Sequence, residues 1–346
     1  MHIRKNTCRY MAFRSKILNF VLKQISPIMN IIDRINDLKK PAFSFEILPP
    51  LKGKGISQLF SNIDKLMEYA PLYVNITSHR SEMVFVSTAD GLYKRISERS
   101  RPGTVAVAAA IQQKYGIPAV PHIICSGFTK TETEYALIDL NFLGINNLLL
   151  LRGDKAKHEN RFVPVENGHS YACELEEQVN MFNNGYFLDG TKMDIVSDNK
   201  FTYGVAGYPE KHDEAPNMDI DLTYLKRKVD LGASYIVTQM FFDNEKYFNF
   251  VKRCREIGIT VPIIPGIKPI INKNQLTVLP KIFHVDLPND LAKELANCQD
   301  NDSAKQVGQE WCIMQSRELI AHGVKSIHFY SLNATESVRN VLKEVL

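Results

Sequence analysis

Leu149–Leu150–Leu151–Arg152–Gly153–Asp154 is an apolar run that ends abruptly in a cation, a glycine and a carboxylate. A parallel strand covered on both faces stays apolar until its carboxyl end, where chemistry begins. Arg152 suits an anion, Gly153 lets the backbone turn or approach a ligand, and Asp154 suits a polar ring. Alone, the stretch reads equally well as a strand followed by an ordinary Gly-Asp turn. Other apolar runs end in the same manner. Phe43–Ser44–Phe45–Glu46–Ile47–Leu48–Pro49–Pro50 places a carboxylate inside an apolar strand. That is costly unless the carboxyl has a partner or a raised pKa, and a structural ion pair is the plain alternative. Further polar ends are Asn75–Ile76–Thr77–Ser78–His79, Pro121–His122–Ile123–Ile124–Cys125, Gly207–Tyr208–Pro209–Glu210–Lys211–His212 and Thr238–Gln239–Met240–Phe241–Phe242–Asp243.

The elements that must position these residues alternate. Strands are predicted at 42–47, 72–77, 120–125, 147–152, 202–207, 234–240, 262–267 and 325–330. Helical patterns fall between them, such as 57–69, 131–142, 219–231, 244–257 and 304–322. Strand–helix alternation implies parallel pairing with right-handed crossovers. Eight strands in 346 residues predict a (β/α)8 TIM barrel. A doubly wound open sheet is the alternative, but no GxGxxG follows the first strand. Two connections, 155–200 and 268–303, are long enough to expect function in them.

Composition narrows the class. Hydrophobic content of 45% and charged content of 23% are those of a soluble globular protein. No apolar run is long enough to span a membrane. The six cysteines form no CxxC pair, which argues against a zinc site and fits a reducing, cytoplasmic setting. The net charge of +4 is local: residues 1–32 hold six Lys/Arg and no acid, leaving 36 basic against 38 acidic residues elsewhere. No nucleic-acid partner is therefore expected. Residues 1–32 are expected to be a dispensable basic extension, with a targeting peptide as the sharper alternative, and 33–346 a single barrel domain.

Taken in order, FSFEILPP, the strand ending in Thr77, PHIIC, LLLLRGD, GYPEKH with DLTYLKRKVDLGA, TQMFFD, IIPGIKPI and HFYSLN resemble the methylenetetrahydrofolate reductases. The set covers residues 43 to 333, as in the short bacterial type. The resemblance implies a barrel that binds FAD at the carboxyl ends of its strands. The flavin takes hydride from NADH or NADPH and passes it to methylenetetrahydrofolate, giving 5-methyltetrahydrofolate for methionine synthesis. Self-association into a homo-oligomer is also implied. Glu46 matches the general acid that protonates N10 as the substrate ring opens, and its apolar strand is expected to keep it protonated. Asp154 matches the carboxylate that stabilises the iminium ion, and Gln239 and Gln275 match substrate-binding side chains. Thr77, His122, Arg152, Gly153, Asp154, Ala172, Tyr208, His212, Asp221, Arg227 and Lys228 match flavin-binding positions.

Three departures stand out. Ala334 takes the place of an arginine that helps to hold the folate, so either another cation, such as Lys268 or Lys273, serves instead or folate affinity is lower. Leu279 replaces a phenylalanine that stacks near the nicotinamide. Thr77–Ser78–His79–Arg80 departs from the commoner Thr-Tyr pattern. A non-catalytic flavin- or folate-binding relative and a barrel folate methyltransferase remain the competing readings.

Overall fold

In the computed structural model, residues 30–156, 159–332 and 334–346 are described. Residues 1–29 of the expected extension lie outside them. The remainder of that segment does not behave as an extension. Helix α1 (Ile31–Asn36) crosses the expected boundary at residue 32, and Ile31 and Ile35 are buried.

The barrel strands are β1 (Ala42–Ile47), β2 (Val74–Ile76), β5 (Ala119–Ile124), β6 (Asn147–Leu151), β7 (Thr202–Gly207), β8 (Tyr235–Thr238), β9 (Ile263–Ile264), β10 (Gly266–Ile267) and β11 (Ser326–Tyr330). All pair in parallel, in the order β10-β11-β1-β2-β5-β6-β7-β8-β9. The nine segments make eight strands, because Pro265 alone separates β9 from β10. Proline has no N–H to give a ladder, so β9 pairs back to β8 and β10 pairs forward to β11. The Pro265 carbonyl still accepts from the His328 N–H at 2.9 Å. The (β/α)8 barrel is thus closed across an interrupted seventh strand.

Alternation along the strands separates two cores. Phe43, Phe45, Ile47, Ile327 and Phe329 join the large apolar layer between strands and helices. Tyr73, Val120, Leu149, Tyr235, Val237 and Ile264 fill the barrel's amino end, against Ile31 and Ile35 of α1. The plug is fastened by polar contacts. The Ile31 N–H donates to Asn147 Oδ1 at 3.1 Å, the Asn30 amide to Thr202 Oγ1 at 2.5 Å, and Arg34 to the Leu72 carbonyl at 2.7 Å.

Outer helices follow the strands: α2 (Ile56–Met67), α3 (Thr104–Tyr115), α4 (Lys130–Phe142), α5 (Ala172–Asn183), α6 (Met218–Leu231), α7 (Asn244–Glu256), α10 (Asn301–Ala321) and α11 (Thr335–Val345). The connection from 268 to 303 adds α8 (Gln275–Phe283) and α9 (Asn289–Asn297). Leu279 sits here in a third apolar cluster with Met240, Phe242, Ile270, Val285 and Leu291. At 2% exposure it fills a core rather than presenting an apolar surface to a nicotinamide.

A β-hairpin not expected from the sequence, β3 (Glu82–Ser87) with β4 (Tyr93–Glu98), is inserted after β2. Its signal was present as Asp90–Gly91 at the turn. Half of β4 is charged, which hides the period-two pattern.

Candidate active site

Glu46 and its neighbours form the polar counterpart of the plugged end. Its Oε2 lies 3.6 Å from His122 Nε2 and 3.9 Å from His328 Nε2, both outside hydrogen-bonding range. His328 is held from behind, Nδ1 to Ser44 Oγ at 2.8 Å, and stacks on Tyr73. Asn75 stands beside Glu46 in the ladder, fully buried, with neither amide atom partnered. His122 Nε2 and His328 Nε2 are likewise buried without a hydrogen bond. Buried polar groups are normally satisfied, so a cluster of orphans around one carboxylate marks a place for a ligand.

The electrostatics correct the expectation for Glu46. Burial pushes its carboxyl up, but His328, His122 and Lys268 together outweigh burial and hold it below the ordinary carboxylate range. The apolar neighbours in its strand point the other way, into the outer core. Burial drives His122 down to about 4, so near neutral pH it is an uncharged imidazole. Burial also drives Lys268 down, to about 8, against the pull of Glu46. Lys268 thus stands as a cation beside Glu46 at neutral pH. That role removes Lys268 from the surface, at 5% exposure, and from service to a distant carboxylate. Lys273 is occupied too, donating to the Cys298 carbonyl at 2.8 Å. Ala334, where the arginine is absent, is itself 3% exposed.

A second cluster caps β6 and β7. Gly153 adopts φ +79°, and a Cβ there would sit 2.9 Å from Ser126 Cβ, so this turn requires glycine. Ser126 donates its hydroxyl to the Asp154 carbonyl at 2.5 Å, leaving the Asp154 carboxylate in solvent. Arg152 lies over the Phe162 ring at 4.8 Å and makes a bidentate pair with Glu214, at 2.5 and 2.9 Å. Glu214 escaped the sequence reading, because nothing in its neighbourhood marks it as a partner of a residue 62 positions away. Tyr208 and His212 pack edge to face at 4.7 Å, and the His212 N–H donates to Asp221 Oδ2 at 3.1 Å.

The remaining expected residues divide. Ala172 opens α5, whose N-cap, Tyr171, supplies no side-chain hydrogen bond to the free N–H groups. Lys228 is directed inward, its Nζ donating to the Ala206 carbonyl at 2.6 Å. Arg227, one residue earlier, points outward to Glu177 at 3.5 Å with 59% of its side chain exposed. A helix turns 100° per residue, so adjacent cations cannot share a target. Arg227 therefore reads as a solvated face. Thr77 donates to the Ile47 carbonyl at 3.2 Å at the mouth of β2. Gln239 at the end of β8 is half-buried, and its Oε1 accepts from the Met240 N–H at 2.9 Å. Gln275 Oε1 accepts from the Ile271 N–H at 2.7 Å, folding its own loop. Among the described residues no cluster suits a metal ion, and no helix is long and apolar enough to cross a membrane.

Fold and site together define a (β/α)8 barrel with a buried acid and two histidines at the carboxyl end of its strands. Residues 31–345 match the methylenetetrahydrofolate reductase family model, and the chain belongs to that family. It is 33% identical over 327 residues to methylenetetrahydrofolate reductase (NADH) 1 of Arabidopsis thaliana, covering 91% of this chain and 50% of that protein. It is 31% identical to a probable NADPH enzyme of Caenorhabditis elegans, covering 43% of it. The chain thus spans about half the length of these relatives. The 5,10-methylenetetrahydrofolate reductase of Escherichia coli is 32% identical over 296 residues, with 85% and 86% coverage. In fold, the chain resembles an uncharacterized Clostridium thermocellum protein that binds 5-methyl-5,6,7,8-tetrahydrofolic acid, with TM-score 0.53, 13% identity and 90% and 98% coverage.

Proposed function

We propose that this barrel reduces 5,10-methylenetetrahydrofolate to 5-methyltetrahydrofolate, using NADH or NADPH through bound FAD. The observation that carries the reading is Glu46, buried among His122, His328 and Asn75, whose polar atoms await a partner. The chemistry FAD supplies when bound is hydride transfer from the nicotinamide to the one-carbon unit. The residues fit such a cofactor: a helix N-terminus open at Ala172, Lys228 and Arg152 for its anionic part, and orphaned amide and imidazole atoms for its ring system. Arg152 exchanges the Glu214 carboxylate for phosphate in this reading, one anion for another.

The chain's own contribution is proton handling. Ring opening expels N10 of the folate, a poor leaving group unless protonated. Glu46 starts as a carboxylate and gains its proton as the pterin displaces water, because lost solvation adds to the burial that already pushes it up. His328, fixed by Ser44, faces the Glu46 carboxylate at 3.9 Å. Asp154, in solvent beside the mouth, supplies negative charge as cationic character develops on the substrate. Gln239 offers both donor and acceptor to the pterin.

The test is the absorbance of the purified protein, followed by its two half-reactions without oxygen. The reading expects yellow protein, bleached by NADH or NADPH and recoloured by methylenetetrahydrofolate; protein that binds no flavin sinks it. The second reading, a binding protein without turnover, draws on buried Ala334 and the engagement of Lys268 and Lys273. It wins if reduced flavin is never reoxidised by the folate.

A further inference from the structure

Helix α5 presents Cys173, Glu176 and Asn180 on one face, towards α6 and β7. Asn180 is fully used, accepting from the Tyr203 hydroxyl at 3.0 Å and donating to the Leu231 carbonyl at 2.7 Å. Glu176, one turn nearer the start of the helix, is 0% exposed, and neither carboxylate oxygen accepts a hydrogen bond. It stands out on this helix, where Leu175 and Val179 are buried as an apolar face should be. Lys228 enters the same interface from α6, its Nζ on the Ala206 carbonyl, and is the cation that acts most strongly on Glu176. The other ionisable groups around the pair are Cys173 and Glu177 on α5, Asp221 and Arg227 on α6, and Tyr203 on β7.

We propose that Glu176 sets how tightly the anionic half of the cofactor is held, by competing for the charge of Lys228 and carrying a proton whenever that anion is bound. The proposal rests on the flavin reading above. A carboxylate and a diphosphate sharing one lysine repel each other, and the carboxylate is the partner that can be neutralised. Burial pushes the Glu176 carboxyl up to about 8, with Lys228 only partly offsetting it. Below that range Glu176 is already neutral and the anion has Lys228 to itself. Above it, binding must drag a proton into the interface, so affinity falls as pH rises. Glu176 is a positioning residue here: it touches no reacting atom and acts through Lys228.

The experiment measures FAD and riboflavin dissociation constants by fluorescence from pH 6.5 to 9.5, for wild type and Glu176→Gln. Riboflavin has no diphosphate and serves as the internal control. Wild-type FAD affinity is expected to fall about tenfold across the range, the effect of one pKa unit of coupling. Glu176→Gln should match wild type at pH 6.5 and stay flat, and riboflavin should stay flat in both proteins. An unchanged FAD slope in Glu176→Gln overturns the proposal and moves the titration elsewhere, to Lys228 itself, whose ammonium burial pushes down, or to Lys268. Failure of FAD to bind at any pH overturns the flavin reading itself, a distinguishable result. Melting of the flavin-free proteins adds a check independent of ligand. A carboxyl whose folded pKa is raised costs stability increasingly from its ordinary 4.5 up to about 8. Glu176→Gln, and Glu176→Val as an apolar second variant, should therefore gain melting temperature over wild type as pH rises through that window. A gap independent of pH overturns the buried ionisation.

Discussion

The two ends of one barrel are built on opposite rules. At the amino end, Leu149, Tyr235 and Ile264 meet Ile31 and Ile35, and the polar side chains of Asn30, Arg34 and Asn147 are paired, the buried Tyr73 hydroxyl being left without a partner. At the carboxyl end, Asn75, His122 and His328 are just as buried around Glu46 but keep atoms without partners. The same ladder runs through both. Saturated contacts serve stability, whereas several unpaired polar atoms gathered around one buried carboxylate are held ready for something that arrives.

The sharpest way to break this comparison is to neutralise the active end without disturbing the other. Glu46→Gln should leave flavin reduction by NAD(P)H within about threefold, while reoxidation by methylenetetrahydrofolate falls on the order of 10³-fold. Equal loss in both half-reactions, by stopped-flow absorbance, removes the general-acid role. Conversely, Ile31→Ala opens the plug and should cost about 4 kcal/mol in chemical denaturation, with flavin binding per folded molecule unchanged. Deleting residues 1–28, which keeps α1 and its cap, should cost nothing measurable in the same assay.

The third test uses acid. His122 titrates near 4 in the folded protein against an ordinary 6.5. As pH falls from 6.5 to 4, the unfolded chain binds a proton that the folded protein refuses, so stability drops by about 3 kcal/mol across that window. Glu46, with its folded pKa depressed, adds a further loss as pH falls through that lowered value. His122→Asn should flatten the upper part of the profile; a drop of the same size in the variant would separate His122 from the acid lability. The smallest effect expected is at Arg227. Arg227→Ala should change FAD affinity by less than about twofold, since its guanidinium faces solvent and Glu177. A tenfold loss would return Arg227 to the site.

Much of the active end was readable from residue order because strand chemistry is local. An apolar run that ends in polar residues marks a carboxyl end wherever it occurs, and Glu46, His122, Arg152, Tyr208 and Gln239 all stand where such endings predicted. Period two also held a signal that went unused: Ser44 and Glu46 alternate with Phe43 and Phe45 as His328 alternates with Ile327 and Phe329. What failed were statements about surroundings. The residues beside Glu46 in sequence are apolar, but those beside it in space are two histidines and a lysine, and its acidity is decided by the latter. Lys268 and Lys273, apparently free, are engaged by groups on other elements.

The sequence by itself determined the alternating elements, the closed parallel barrel and the strand-end residues, since backbone propensity, apolar periodicity and the ordered motifs all act along the chain. Only the tertiary structure decided that α1 plugs the amino end, that Glu214 holds Arg152, and that Lys228 turns inward onto the Ala206 carbonyl while Arg227 faces water. It also decided that Glu46 rests as a carboxylate. Electrostatic and packing energies depend on separation in space, and a closed barrel brings together residues whose distance along the chain carries no trace of it.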